Sequence, residues 1–316
     1  MTFQTKEIPP GFDLPTALPQ TTEQAAKWQA CNLQWWESHP MRYDWKDELG
    51  AEDFSSKFYE EIDRRFFHNA EEYLPARKLP FDRLIPFDDL PHLDVLEIGV
   101  GNDSHAGLLA RHARTFTGID LTDYAVNSTR QRLRLARLDA PIIRMDAEKM
   151  DFPDESFDFL WSWGVIHHSA DTGQVLREMR RVLRPGGRAV IMVYHRNFWN
   201  YYVWCGLLHG FLRGMWFQNR SLHRIMQVTN DGALARFYTR SEWKTTVSDC
   251  FEIDTLEVFG PKSHLLPLPA SRLKDVLLRL FPDGLSRFFA NRLRMGSFLV
   301  ARMRRVEDTP KQNSKP

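Results

Sequence analysis

The residues that could do chemistry gather around one stretch, Glu97-Ile98-Gly99-Val100-Gly101, and two later acidic positions, Asp120 and Asp146. Residues 94–98 form a strand-sized run rich in branched side chains, and Gly99 and Gly101 stand where a chain leaving such a strand must turn sharply into a helix. Glycines there let a ligand lie against the backbone and the amides of the following helix start. Asp120 follows about twenty residues on, at the end of the next strand, the place from which a carboxylate accepts hydrogen bonds from ribose hydroxyls. The pattern reads as a nucleoside cradle, although a steric turn alone would also account for the glycine pair. A nicotinamide loop of the form G-x-G-x-x-G is not matched, because its three positions hold Gly99, Gly101 and Ser104.

The elements that must position these residues follow from periodicity. Strands are predicted near 94–98, 115–120, 142–146, 157–162 and 187–194, with amphipathic helices between them. This alternation implies a parallel sheet covered on both faces. Ligands of such sheets bind beyond the carboxyl ends of the strands, so Gly99, Asp120, Asp146 and Ser162 should converge. The chain has 316 residues, 43% hydrophobic and 26% charged, with a net charge of +1. That suits a globular protein, and no global field recruits nucleic acid or an anionic membrane, which leaves only a local patch for either. The arginines at 130, 132, 134 and 137, and at 177, 180, 181 and 184, read as solvated helix faces. Cys31, Cys205 and Cys250 are odd in number and lack ligand spacing, so a reduced, cytoplasmic protein without a metal site is expected. The amino terminus lacks the pattern of a signal peptide.

The block Glu97-x-Gly99-x-Gly101 with Asp120 resembles the first cofactor motifs of class I S-adenosylmethionine-dependent methyltransferases. The likeness runs through Asp146-Ala147-Glu148, Phe157-Asp158-Phe159-Leu160-Trp161-Ser162, His167-His168 and Arg181-Val182-Leu183-Arg184-Pro185-Gly186-Gly187. It covers residues 92–195, with Asp103 where the family has a third glycine, and is similar to the small-molecule branch that includes ubiquinone and menaquinone methyltransferases. It implies a Rossmann-like, doubly wound α/β sheet of seven strands, mostly parallel, closed by an antiparallel hairpin at 251–259 and 297–304. It further implies S-adenosyl-L-methionine as cofactor. Glu97, Gly99 and Gly101 would shape the methionine and ribose side, Asp120 with Leu121 the ribose, Asp146 with Ala147 the adenine, and Ser162 and Trp163 the reacting centre. An oxygen nucleophile on a small molecule is the first expectation. A lipid, quinone-like or thiol acceptor, and a non-catalytic nucleoside-binding assembly partner, are the alternatives.

A hydroxyl or thiol acceptor must lose a proton, and histidine is the side chain suited to take it near neutral pH. His195 is the preferred base, ahead of His168 and His167, with a structural role open for each. Tyr194, Arg196, Trp199, Tyr202, Tyr238 and Trp36 are candidate acceptor contacts. The remaining organisation is expected as a flexible arm at 1–20, a helical cap at 21–90 and the binding core at 91–195. An acceptor-binding or lid insertion at 196–250, the hairpin with a helical insertion at 251–306, and a flexible tail at 307–316 complete it. In the cap, Thr21 or Thr22 offers an N-cap and Trp28, Asn32, Trp35 and Trp36 follow at helical spacing. The apolar stretch 198–216 carries Gly206, Gly210 and Gly214 at intervals of four. It reads as a pocket lid, as a homodimer contact, or as a membrane-surface element.

Overall fold

The computed structural model describes residues 6–44, 48–102, 104–266, 268 and 271–307. Residues 1–5 of the arm, Trp45, Asp103 and the tail beyond 307 lie outside the described residues. In chain order the elements are α1 (Thr22–Ser38), α2 (Ser56–Tyr73), β1 (Asp94–Ile98), α3 (Ser104–His112), β2 (Thr115–Asp120), α4 (Asp123–Leu135), β3 (Ile142–Arg144) and β4 (Phe157–Trp163). There follow α5 (Thr172–Val182), β5 (Leu183–His195), a π-helix (Phe198–Leu212), α6 (Met215–Asn219), α7 (Leu222–Val228) and β6 (Phe237–Tyr238). The chain ends with α8 (Arg240–Val247), β7 (Phe251–Phe259), α9 (Arg272–Leu280), α10 (Asp283–Arg287) and β8 (Phe298–Arg305).

The strands form one sheet in the order β3-β2-β1-β4-β5-β8-β7, and the short β6 adds to the end of β5. Strands β1 to β5 are parallel, while β8 runs antiparallel between β5 and β7. This is the doubly wound sheet with a closing antiparallel hairpin that the sequence implies, with β6 added. Strand alternation divides its core in two. Leu96, Ile98, Leu160 and Ile191 face Val175, Leu176 and Met179 of α5 and Trp243 of α8. Val95, Phe159, Trp161 and Val190 face Phe66 of α2, Ala106 and Leu109 of α3 and Val126 of α4. Helix α5 shows why it sits where it does. Asp171 caps its first turn by accepting from the Gln174 amide at 3.0 Å, and Val175, Leu176, Met179 and Val182 form one buried stripe.

The arm expected at 1–20 is, over its described residues, a docked strap. Phe12 is fully buried and meets Trp28 of α1 edge-on, with ring centroids 5.3 Å apart. The Pro15 carbonyl accepts from the Phe237 amide at 3.1 Å, the Ala17 carbonyl accepts from Arg236 at 2.8 Å, and Lys6 donates to the Gln227 carbonyl at 2.7 Å. One aromatic anchor and these polar partners hold a proline-rich segment that has no periodicity of its own. Arg132 also departs from the solvated-face reading. It is buried, donating to both oxygens of Asp63 and to the Asn102 carbonyl.

The glycines of the π-helix are covered from within the chain. A methyl on Gly206 would lie 3.4 Å from Leu222, and one on Gly210 would lie 3.6 Å from Ile225, so the close-approaching helix is α7. Among the described residues, no helix is long and apolar enough to cross a membrane.

Candidate functional site

The sheet reverses strand order at β1, whose neighbours β2 and β4 are reached by connections over opposite faces, and a crevice opens beyond the carboxyl ends of these strands. There Gly99 accepts no substituent, because at φ +83° its missing Cβ would lie 2.2 Å from a Val165 methyl. Gly101, at φ +56°, faces open space. Among the described residues, no atom lies within 4 Å of where a Gly101 Cβ would stand, which leaves room for a nucleoside against this backbone.

The carboxylates beside this loop are held in place. Asp120 accepts from the Gly101 amide at 3.1 Å and from the amide and hydroxyl of Thr122 at 2.9 and 2.8 Å, tying the loop to the start of α4. Burial pushes the Asp120 carboxyl upward, and these amide bonds oppose that shift. Asp146 accepts from the Glu148 amide at 2.9 Å and from the Gln29 side chain of α1 at 2.8 Å. Glu97 is buried, with one oxygen 3.9 Å from His105, whose pKa burial lowers to about 3, so that the ring is neutral.

These residues line a cavity of about 970 Å³, at the upper end of the range for small-molecule sites. Glu97, Gly99, Gly101, Asp120, Leu121, Asp146, Ala147 and Trp163 all stand on its wall, as do His168, Tyr194 and Trp36. Ser162 is buried behind it and donates to the Ile98 carbonyl at 3.2 Å. Helix α1 roofs the cavity. Besides the Gln29 bond, Glu37 accepts from the Asp123 and Tyr124 amides at the start of α4, and Trp36 packs edge-on against His168 at 5.0 Å.

The three histidines differ. His168 has its Nδ1 2.7 Å from the Leu234 carbonyl, so that nitrogen carries the proton and Nε2 keeps its lone pair. Among the described residues Nε2 has no hydrogen-bond partner, and burial lowers the ring's pKa to about 3. His167 is fully buried against Tyr194, with centroids 4.0 Å apart, and lies behind the wall. His195, the base preferred from sequence, does not reach the cavity. It ends β5, where its Nδ1 lies 2.9 Å from the Gly296 carbonyl and Asn200 donates to its own carbonyl.

Other expected contacts also fall elsewhere. Arg196 pairs with Glu242, Trp199 donates to the His264 carbonyl at 3.2 Å, Tyr202 is exposed, and Tyr238 packs on Trp243 in the core. None of these, nor any residue of 198–216, is on the cavity wall, so the lid reading of that stretch does not hold. The wall opposite the glycine loop comes instead from Asn230, Asp231 and Phe237, from His68, Glu72 and Tyr73 of α2, and from Lys262, His264, Leu278 and Arg279 of the insertion between β7 and β8. His264 is held 2.6 Å from the Ser297 hydroxyl, and burial lowers its pKa to about 4. No local pattern marks these residues. They become neighbours only because β7 and β8 pair and return the insertion over the sheet edge.

Residues 96–191 match the family model of a methyltransferase domain. A phthiotriol/phenolphthiotriol dimycocerosates methyltransferase of Mycobacterium tuberculosis is 39% identical over 101 residues, 31% of this chain and 37% of that protein. A fatty-acid O-methyltransferase of Mycolicibacterium smegmatis is 39% identical over 95 residues, 29% of this chain and 34% of that protein. The matches thus span little more than a third of these relatives' length. The crystal structure of geranyl diphosphate C-methyltransferase from Streptomyces coelicolor aligns with a TM-score of 0.51 at 15% identity, covering 91% of this chain and all of that one, so the two share a fold.

Proposed function

We propose, from a core that matches a methyltransferase domain over residues 96–191, that this protein uses S-adenosyl-L-methionine to methylate a small molecule at oxygen. The observation that carries the reading is the continuity of one cavity from Gly101, Asp120 and Asp146 to His168, Tyr194 and His264. It gives the donor and the acceptor adjoining places. Bound there, S-adenosylmethionine supplies a methyl group on a sulfonium, whose transfer leaves a neutral thioether.

The chain's residues have three tasks. Gly101 and the amides beyond it receive the donor's backbone, Asp120 its ribose and Asp146 its adenine. Helix α1 excludes water, through Gln29 over Asp146 and Trp36 over the far end, and positions the two reactants. His168 Nε2 takes the hydroxyl proton as the acceptor oxygen bonds the methyl carbon. Burial keeps the ring neutral and able to accept, but it also disfavours the imidazolium, so the proton moves only as the forming C–O bond makes the hydroxyl strongly acidic. Trp36 packs edge-on against this ring, and both line the cavity where the acceptor would lie.

A lipid-like acceptor is the second reading. Tyr43, Phe66, Phe237, Leu278 and Phe298 give the acceptor end an apolar lining, and the two relatives described above are named for a fatty acid and for phthiotriol/phenolphthiotriol dimycocerosates. The test incubates purified protein with methyl-labelled S-adenosylmethionine and extract, then separates polar small molecules, lipids, protein and nucleic acid. Label in the polar pool supports the first reading and label in the lipid pool the second. Label in macromolecules refutes both, and cofactor binding without transfer favours a non-catalytic assembly role. His168→Ala should lower kcat far more than His195→Ala.

A further inference from the structure

The molecule carries an apolar surface that its own fold leaves uncovered. Among the described residues, fourteen of seventeen exposed large hydrophobic side chains fall within 198–217 and 273–293. Phe198, Phe211 and Phe217 are 74%, 75% and 85% exposed. In α9, Leu273, Val276, Leu277 and Leu280 recur at the spacing of one helical face, and no residue of the helix is buried. A helix with one apolar face normally turns it toward a core. Here that face is presented to solvent.

The two segments are neighbours. The Lys274 ammonium lies 4.5 Å above the Trp204 ring, and the Trp199 indole bonds the His264 carbonyl. The same part of the chain reaches the cavity, since Leu278 and Arg279 of α9 and His264 stand on its wall. The apolar surface therefore borders the acceptor end of the pocket.

Charge selects the occupant. Segments 198–220 and 271–294 contain eight basic residues (two arginines, then five arginines and Lys274) against only Asp275 and Asp283, in a chain whose net charge is +1; of these, Arg279 stands on the cavity wall and Arg287 donates to the Glu72 carbonyl. Two copies meeting through this face would bring like charges together, and the cores of protein interfaces are depleted in charge. An anionic bilayer instead attracts the basic residues while the apolar side chains enter below its headgroups, and long arginine and lysine stems allow both at once.

We propose that the face formed by the π-helix, α6, α9 and residues 281–294 docks peripherally on an anionic lipid bilayer, with the acceptor end of the pocket at its edge. The proposal goes beyond methyl transfer, and its test requires no turnover. The full chain is floated with vesicles of phosphatidylglycerol mixed with phosphatidylcholine, and separately with phosphatidylcholine alone. The protein should float with the mixed vesicles, float much less with the neutral ones, and be released by high salt.

Phe217→Asp and Leu280→Glu change exposed side chains, and thermal unfolding checks that each is folded. Each should lower partitioning about tenfold or more, the effect of withdrawing one large apolar side chain. Arg272→Glu with Arg294→Glu should weaken flotation on the mixed vesicles without touching an apolar residue. No flotation of the parent, equal flotation on both vesicles, or unchanged flotation of the folded variants overturns the proposal. A lipid-free dimer abolished by Phe217→Asp, with no flotation, assigns the face to a second copy instead.

Discussion

Gly99 and Gly101 lie two residues apart in one loop and both have positive φ, yet alanine should act on them in different ways. At Gly101 the new methyl meets no atom of the described residues within 4 Å, so the stability cost is that of a left-handed alanine, about 1 kcal/mol. In a chain of this size that lowers Tm by about 2 °C. The methyl would occupy the side on which the donor is proposed to lie, and S-adenosylhomocysteine affinity should fall more than about tenfold, or about 1.4 kcal/mol. At Gly99 the methyl would lie 2.2, 2.5 and 2.8 Å from three carbons of Val165. No rotation of one isopropyl group clears all three, so overpacking adds to the backbone strain for about 3 kcal/mol or more. Tm should then fall by about 6 °C or more. Titration calorimetry and thermal unfolding on both variants give the comparison. If Gly101→Ala binds within about twofold of the parent, the ligand does not lie against this loop. If Gly99→Ala is as stable as Gly101→Ala, the packing argument at Val165 is wrong.

Other outcomes follow from the same geometry. Burial lowers the His168 pKa to about 3, so the neutral ring persists well below the ordinary histidine range; kcat/KM should show no histidine limb between about pH 5 and 8, and a limb near the ordinary value that vanishes in His168→Gln would contradict this. Burial likewise lowers Lys6 to about 7 from its ordinary 10.5. Protonation therefore favours the released strap, and docking should be weakest below about pH 7 and strengthen as pH rises toward the free amine's pKa. Limited proteolysis within residues 6–20 should be faster near pH 6 than near pH 9, and Lys6→Met should remove the difference. Arg236 is fully buried and donates to the Ala17, Ser169 and Ala170 carbonyls. Arg236→Met leaves these acceptors without that donor and should cost about 3 kcal/mol or more in denaturant unfolding, with faster cleavage of the strap.

What the sequence by itself determined lies mostly within 94–195. Apolar runs of strand length, helical stripes between them and glycines after β1 are local features, and parallel pairing leaves few ways to assemble them. The sheet, the crevice and the convergence of Gly101, Asp120 and Asp146 follow from that alternation. Tertiary structure alone decided the acceptor end. His195 ends the fifth strand as expected, yet its ring turns to the Gly296 carbonyl because β8 returns beside β5, a pairing made across a hundred residues. His264 and Glu72 share a wall because the insertion folds back onto α2, and no spacing in the chain records that contact. The stretch 198–216 shows the same limit, since its apolar composition was plain but which side would be covered was not. Helix α7 takes the glycine side, and the phenylalanines are left facing outward.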